Sequence, residues 1–176
     1  MTRGRAALAA LLAIPGLLVG SCSSGPSGSS AVPQVGDASK VDMCTILSDA
    51  DLRRLGISLN SSEPVNELGA IGCQWVGNPI TLSLERNADT VAKYATRRND
   101  PRFTSFRENT VNGRAGIQLS VEQDRTDCVQ LMDGGPVSLA VAVAPSGRYE
   151  GPPIDTCGEA LRIAQMIEPR LPKAGT

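Results

Sequence analysis

Four cysteines in the body of the chain constrain its fold more than any other feature of the sequence. Cys44 and Cys73 are separated by 29 positions, and so are Cys128 and Cys157. None of them belongs to a C-x-x-C pair, which argues against a thioredoxin-like redox site and a zinc ribbon. Four cysteines allow three pairings, and the equal separations favour Cys44–Cys73 and Cys128–Cys157. Each disulfide would close a loop of about 30 residues and contribute roughly 3–4 kcal/mol.

A fifth cysteine, Cys22, belongs to a different feature. Arg3 and Arg5 precede an uncharged, largely apolar stretch at 6–19, which is typical of an export signal and too short for an ordinary membrane span. The stretch ends in Val-Gly-Ser-Cys, which resembles the lipobox of bacterial lipoproteins, where the cysteine becomes the lipidated N-terminus. The open alternative is an ordinary secretory signal. We predict a signal peptide at 1–21, a lipidated Cys22, and a protein anchored on the extracytoplasmic side of the cell membrane.

Charge and composition argue against several classes of function. Removal of residues 1–21 takes away two of the 17 Lys and Arg residues and none of the 18 Asp and Glu residues, so the mature net charge is 15 − 18 = −3. A nucleic-acid partner is not expected, because such proteins concentrate basic residues on one face. The sequence has no histidine, the usual acid–base residue and metal ligand. We therefore predict a protein that is not an enzyme and has no cofactor or metal.

The chain divides into a tether and one domain. Residues 22–40 are rich in Ser, Gly and Pro, which predicts a flexible tether. Residues 41–173 are long enough for one domain with its own core, expected to be monomeric. The hydrophobic periodicity predicts the order α-β-β-α-β-β-β-α. Helices are predicted at 48–55, 87–98 and 156–171, and strands at 71–75, 80–84, 115–121, 128–131 and 137–143, with a loop through 58–69.

Short turns between neighbouring strands favour antiparallel pairing. The predicted fold class is therefore α+β: a single-domain sandwich in which an antiparallel sheet is covered by helices on one face. Two disulfides are predicted to cross-link it. Local residues mark the helix starts. Ser48 with Asp51 forms a capping box and Gly56 is a natural stop, while Asn87 and Thr156 are predicted to cap the second and third helices.

Several short motifs carry a family resemblance. They are the lipobox, Asp42-Met43-Cys44-Thr45-Ile46-Leu47-Ser48, Gly72-Cys73-Gln74-Trp75, Val111-Asn112-Gly113-Arg114-Ala115 and Asp155-Thr156-Cys157. Together they resemble an uncharacterised family of actinobacterial lipoproteins, with a domain of unknown function, that includes the mycobacterial LprB and LprC proteins. The resemblance covers nearly the whole mature chain. It implies a location and a fold, and it brings no catalytic residues.

Four side chains are candidates for contact with a partner or ligand: Phe103, Phe106, Arg107 and Tyr149. The first three lie in the densest basic stretch, which also contains Arg97, Arg98 and Arg102, and which would suit lipid headgroups, a phosphate or an acidic partner. Acidic residues interrupt this stretch, so a solvated helix end and loop is the favoured interpretation. Tyr149 lies in a stiff loop that ends in Gly-Pro-Pro, where an ordinary connector is the alternative.

Two further features have structural interpretations that are favoured over functional ones. Trp75 lies two residues after Cys73, so it is expected to pack in the core beside a disulfide rather than to form a ligand platform. Four acids surround a predicted turn and would suit Ca²⁺ only with the spacing of a calcium loop, which they lack, so exposed turn acids are favoured. They are Glu122, Asp124, Asp127 and Asp133.

The leading functional hypothesis is a non-catalytic binding or accessory module in the cell envelope. If its partner is an envelope lipid or a small molecule, an apolar cavity of ~300 Å³ or more is expected between sheet and helices. The alternative is a module that binds a membrane protein such as a transporter or sensor. A third possibility is a hydrolase that uses only carboxylates, which needs two acids within ~5–10 Å in one cleft. Its candidates are Asp51, Glu85, Glu122 and Asp155.

Overall fold

The computed structural model describes residues 35–121 and 127–173. Within these ranges the chain forms three α-helices, seven strands and two short 3₁₀ segments, Leu59–Ser61 and Glu168–Arg170. The helices are α1 (Asp49–Arg54), α2 (Val91–Ala95) and α3 (Thr156–Ile167). The strands are β1 (Glu63–Glu67), β2 (Ala70–Val76), β3 (Ile80–Asn87), β4 (Phe103–Val111), β5 (Arg114–Val121), β6 (Cys128–Asp133) and β7 (Ser138–Pro145).

The seven described strands make one antiparallel sheet, in the order β1-β2-β3-β7-β6-β5-β4. This confirms the predicted α+β class with an antiparallel sheet. The strand registers place three turns at one end of the sheet, here called the Leu68 end: the β1–β2 turn at 68–69, the β4–β5 turn at 112–113 and the β6–β7 turn at 134–137. The β2–β3 turn at 77–79 lies at the opposite end.

Helices cover both faces of this sheet. On one face, called the main face, α3 packs on β6 and β7, and the buried cluster there includes Leu82, Val141 and Ile163. On the other face α2 packs over β5 and β6, where Val91 clusters with Ile117. The expectation that the helices lie on one face is therefore wrong for α2. The reason is strand alternation, which gives β5 and β6 an apolar side away from the main face.

Both predicted disulfides are present. Cys44, in the loop before α1, is bonded to Cys73 on β2 with a Cα–Cα distance of 5.1 Å. Cys128, at the start of β6, is bonded to Cys157 in the first turn of α3 with a Cα–Cα distance of 5.0 Å. Each bond thus joins a helical region to the sheet. Trp75 is 3% exposed and belongs to the main-face core, in agreement with its expected packing role.

The first helix begins and ends as its sequence predicts. The Ser48 side chain accepts a hydrogen bond from the backbone N–H of Asp51, and the Asp51 side chain accepts one from the backbone N–H of Ser48. This reciprocal pair satisfies two donors that a helix start leaves free. Gly56 follows the last turn with φ of 73°, a conformation that favours glycine.

The predicted caps of the other two helices are wrong by one to three residues. Asn87 is the last residue of β3 and pairs with a neighbouring strand, so α2 starts later and is capped by Thr90. It also ends at Ala95, earlier than the predicted residue 98. In α3 the cap is Asp155, whose carboxylate accepts a hydrogen bond from Gly158, and Thr156 is already helical.

Two strands were not predicted, and both are edge strands. β1 lies where a loop was expected at 58–69, and β4 lies where a solvated helix end and loop were expected. Four of the five residues of β1 are exposed, and β4 has one buried residue, Val111. An edge strand has one neighbour, so its sequence need not show the apolar alternation that identifies a central strand.

The folded domain begins before the predicted boundary at residue 41. Ala38 is fully buried, and its N–H donates a hydrogen bond to the carbonyl of Gly134 at 2.9 Å. Val35 pairs with Lys173 in an isolated bridge. Residues 35–40, which were predicted to belong to the tether, are therefore held against the Leu68 end. Cys22 lies outside the described residues.

The carboxyl group of Asp51 makes the stability of the domain depend on pH. Its side chain is 4% exposed. Hydrogen bonds from Ser48, then those from Arg170 and Arg54, hold the pKa of this carboxyl far below its ordinary value. A carboxyl with a lowered pKa in the folded state stabilises the fold above its unfolded pKa of about 4 and loses this contribution as pH falls toward the folded pKa.

We therefore expect the melting temperature of wild type to fall between about pH 5 and pH 2, whereas Asp51→Asn, which is less stable at neutral pH, changes less in that window. Thermal denaturation followed by circular dichroism at several pH values measures both. Asp49→Asn, on the exposed side of the same helix, is the matched control and should follow wild type. A constant difference between wild type and Asp51→Asn at all pH values would contradict the assignment.

Candidate functional site

The four predicted contact residues do not meet on one surface. Phe103 and Phe106 lie on the α2 face of β4, with ring centroids 5.6 Å apart, and pack half-buried against the smaller core. Arg107 points to the main face, where it donates a hydrogen bond to Gln118 at 2.7 Å. Tyr149 follows β7 and its ring lies against the backbone at Gly151. The structure therefore brings together the two phenylalanines only.

The basic stretch is largely neutralised by carboxylates. Arg98 forms an ion pair with Glu108 on β4, and Arg102 forms a two-pronged pair with Asp100. The hydrogen bonds from Arg102 lower the pKa of the Asp100 carboxyl to about 2. Hydrogen bonds from Lys93 and then from Arg97 lower the pKa of the Asp89 carboxyl. Because Arg97, Arg98 and Arg102 are paired with carboxylates, the stretch offers an anion or a lipid headgroup little positive charge beyond that of Arg107, whose partner Gln118 is neutral.

A groove of about 400 Å³ lies between α2 and the β4–β5 hairpin. It is open to solvent, and its walls carry short side chains on both sides, since Ala92 and Ala95 on α2 face Ala115 on β5. Beneath these alanines the floor is closed by Val91 and Ile117, which are buried in the smaller core. We call this space the α2 groove; it is lined by Thr90, Val91, Ala92, Ala95, Glu108, Asn109, Ala115, Gly116, Ile117, Asp133 and Gly135.

The rim of the α2 groove is acidic. Glu108 lies on the β4 wall and pairs with Arg98, while Asp133 lies at the end of β6, where its carboxylate accepts the N–H of Gly135 at 2.9 Å. From strand spacing and register, the two Cα atoms are about 12 Å apart. An apolar floor with carboxylate oxygens at its edges suits a ligand with an apolar body and hydrogen-bond donors.

Comparison with known proteins then places the chain in a family. A family model with the description "Protein of unknown function (DUF3558)" matches residues 17–170. The chain belongs to the DUF3558 family. No curated protein and no solved structure matches it. The DUF3558 match covers the whole sheet and all three described helices, and it assigns no role to any residue.

A second groove of about 400 Å³ in the DUF3558 domain lies beside the Cys44–Cys73 disulfide. It runs between the start of α1 and the 3₁₀ segment Leu59–Ser61, and it is lined by Leu52 and Trp75 among others. Because Trp75 is almost completely buried, its ring is used for packing and offers little surface to a ligand. This groove is therefore the weaker candidate.

The acids proposed for a hydrolase are far apart in the DUF3558 domain. Asp51 is bonded to Arg170, beyond the C-terminal end of α3, whereas Asp155 caps the N-terminal end of the same helix. Glu85 lies on the α2 face of β3, where it accepts a hydrogen bond from Ser83. These three carboxyls share no cleft, which argues against a catalytic pair among them. Glu122, the fourth candidate, lies outside the described residues.

The described ranges contain neither a metal-type cluster of side chains nor a long apolar helix. Within residues 35–121 and 127–173, no three acidic or cysteine side chains are placed to hold a metal ion. Of the four turn acids, Glu122 and Asp124 lie outside these ranges. None of the helices in the described part of the DUF3558 chain has the length and apolar character needed to span a bilayer.

The α2 groove was missed from the sequence for an identifiable reason. Its walls come from α2, three strands and a turn, and small side chains at Ala92, Ala95 and Ala115 create the space. The sequence alone does not show that an alanine on one element lies across a gap from an alanine on another. The alternation of β4, which places Phe106 and Glu108 on one face, is the only local signal that was present.

Proposed function

We propose that this DUF3558 protein is a non-catalytic binding module, anchored by a lipid at Cys22 on the extracytoplasmic side of the cell membrane. The lipobox-like sequence that ends at Cys22 supports the anchor. Two disulfides suit an oxidising compartment outside the cytoplasm. The 14 Arg against 3 Lys residues fit a GC-rich genome, and we include in the proposal an actinobacterial origin and kinship with the mycobacterial LprB and LprC proteins.

The α2 groove is the observation that carries the binding function. Its volume of about 400 Å³ meets the minimum of ~300 Å³ expected for a small-ligand site, and its floor is apolar. Its ligand is a small, largely apolar molecule of the cell envelope with one or more hydrogen-bond donors directed at Glu108 or Asp133. The scattered positions of the hydrolase candidates favour binding over chemistry.

Narrowing the groove should weaken ligand binding. Ala92 is exposed on one wall, so Ala92→Leu fills part of the groove without entering the core. We expect this variant to raise the Kd for the neutral apolar fluorophore N-phenyl-1-naphthylamine about tenfold, which corresponds to roughly 1.4 kcal/mol. A fluorescence titration of the chain from residue 23 onward, without signal or lipid, measures the Kd in the absence of detergent.

Ala50→Leu provides the matched control, because Ala50 is an exposed alanine on α1 that does not line the groove. It should bind the fluorophore as wild type does. Equal affinity of wild type, Ala92→Leu and Ala50→Leu would rule out the α2 groove as the binding site.

A further inference from the structure

The β1–β2 turn exposes an apolar side chain in an unfavourable backbone conformation. Leu68 is fully exposed and has φ of 49°, in the left-handed region that Asn, Asp and Gly adopt at such turns. Ile71, three residues later, is 51% exposed. Folding gains nothing from either feature, because an asparagine at position 68 would relieve the strain and remove the exposed apolar side chain. Such a residue indicates a contact outside the domain.

The chain enters the domain at the same end of the sheet. The backbone N–H of Ala38 binds Gly134 in the β6–β7 turn, and Gly36 packs against Pro172 and Gly135. In the strand order, three strand spacings separate the β1–β2 turn from the β6–β7 turn. At about 4.8 Å for each spacing, Leu68 lies about 14 Å along the sheet edge from the point of entry.

The length of chain before this entry point limits how far the Leu68 end can be from a lipid on Cys22. Thirteen positions separate Cys22 from Val35, and thirteen residues span at most about 45 Å when fully extended. The opposite end of the sheet lies farther away by the length of a strand, about 23 Å for the seven residues of β2. The anchor therefore favours an orientation with the Leu68 end toward the bilayer.

We propose that Leu68 and Ile71 insert into the interfacial region of the bilayer that holds the lipid of Cys22, so that the domain rests on the membrane by its Leu68 end. The inference rests on the lipid anchor of the proposed function. Side chains of this kind partition into the boundary between headgroups and acyl chains. Both Glu67 and Lys40 are exposed near this end, so the contact depends on apolar insertion and requires no anionic lipid.

This orientation has a consequence for the α2 groove. Thr90, Asp133 and Gly135 line the groove and lie at or next to strand ends of the Leu68 end. One mouth of the groove then opens close to the bilayer surface, where an apolar ligand is most concentrated. The membrane contact and the groove would act together in taking such a ligand from the membrane.

The test places a fluorophore beside Leu68 in the full lipidated protein. The cysteines of the mature chain are held in disulfides or, at Cys22, carry the lipid, so Glu67→Cys introduces a free thiol for the environment-sensitive label NBD. In phosphatidylcholine vesicles we expect blue-shifted NBD emission that brominated lipids quench. Gly147→Cys, at the opposite end where a side chain meets open space, is the matched control and should remain aqueous.

A second variant separates membrane insertion from folding. Leu68→Asn suits the left-handed backbone, so the fold should be at least as stable, while the NBD label at position 67 should return to aqueous emission. Identical emission from positions 67 and 147, or emission at 67 that Leu68→Asn leaves unchanged, would overturn the inference. The intact mass distinguishes the two proposals: a protein without lipid overturns the anchor and this inference together, whereas a lipidated protein with an aqueous label at 67 overturns this inference alone.

Discussion

Replacement of Arg114 by methionine is expected to destabilise the domain by about 3–5 kcal/mol. The Arg114 side chain is 4% exposed and lies 3.2 Å from the carboxylate of Glu168, which is 10% exposed. Its remaining donors bind the backbone carbonyls of Asp133 at 2.8 Å and Pro172 at 3.0 Å. The residue thus ties the start of β5 to the end of β6 and to the C-terminal segment. Removal of the Arg114 guanidinium leaves the buried carboxylate of Glu168 without its ion-pair partner. This unpaired charge lowers the free energy of unfolding more than the lost contacts do.

A double-mutant cycle measures this coupling. Arg114→Met, Glu168→Leu and the double variant are compared by urea denaturation. Because the double variant removes both charges, we expect it to be markedly more stable than the sum of the two single effects predicts. Strictly additive effects, or a loss below 1 kcal/mol in Arg114→Met, would show that the two buried groups are not coupled.

Removal of either disulfide should cost nearly as much. Each bond closes a loop with a sequence separation of 29 residues, for which the loss of chain entropy in the unfolded state corresponds to about 3.5 kcal/mol. The two loops do not overlap, so the effects should add. Together they approach the total stability of an ordinary domain, about 5–15 kcal/mol. A chain that lacks both bonds should be largely unfolded at 37 °C.

The paired variants Cys44→Ala/Cys73→Ala and Cys128→Ala/Cys157→Ala test this by urea denaturation under oxidising conditions. Each should lower the free energy of unfolding by 2–5 kcal/mol. The combined variant should lose the near-ultraviolet circular dichroism of a packed core. If the combined variant melts within a few degrees of wild type, the disulfides contribute little to the stability of this fold.

Much of the fold could be predicted because its signals are local. The central strands alternate clearly between apolar and polar residues, the equal spacing of the cysteines indicated their partners, and Ser48 with Asp51 marked a helix start. The edge strands β1 and β4 could not be found in this way, since neither has a strongly buried face. The sheet face on which α2 packs depends on which face of β5 and β6 the other helices leave uncovered. The sequence of a single segment does not contain that information.

The candidate site was less predictable, because it consists of spaces and surfaces rather than motifs. Phe103, Phe106, Arg107 and Tyr149 stand out by chemical type alone, and the fold brings only the two phenylalanines onto one surface. The α2 groove depends on small residues that face each other from separate elements, as Ala92 on α2 and Ala115 on β5 do. Leu68 is one leucine in a segment predicted to be a loop, and its exposure and left-handed backbone depend on the β1–β2 hairpin.

Native mass spectrometry of the lipoprotein released from its own membranes tests the central claim most directly. The account predicts a mature chain that begins at lipidated Cys22 and carries a further non-covalent mass. That mass should be retained by Ala50→Leu and lost by Ala92→Leu. A chain with no lipid on Cys22, or no bound molecule on any of the three proteins, would contradict a lipid-anchored binding module.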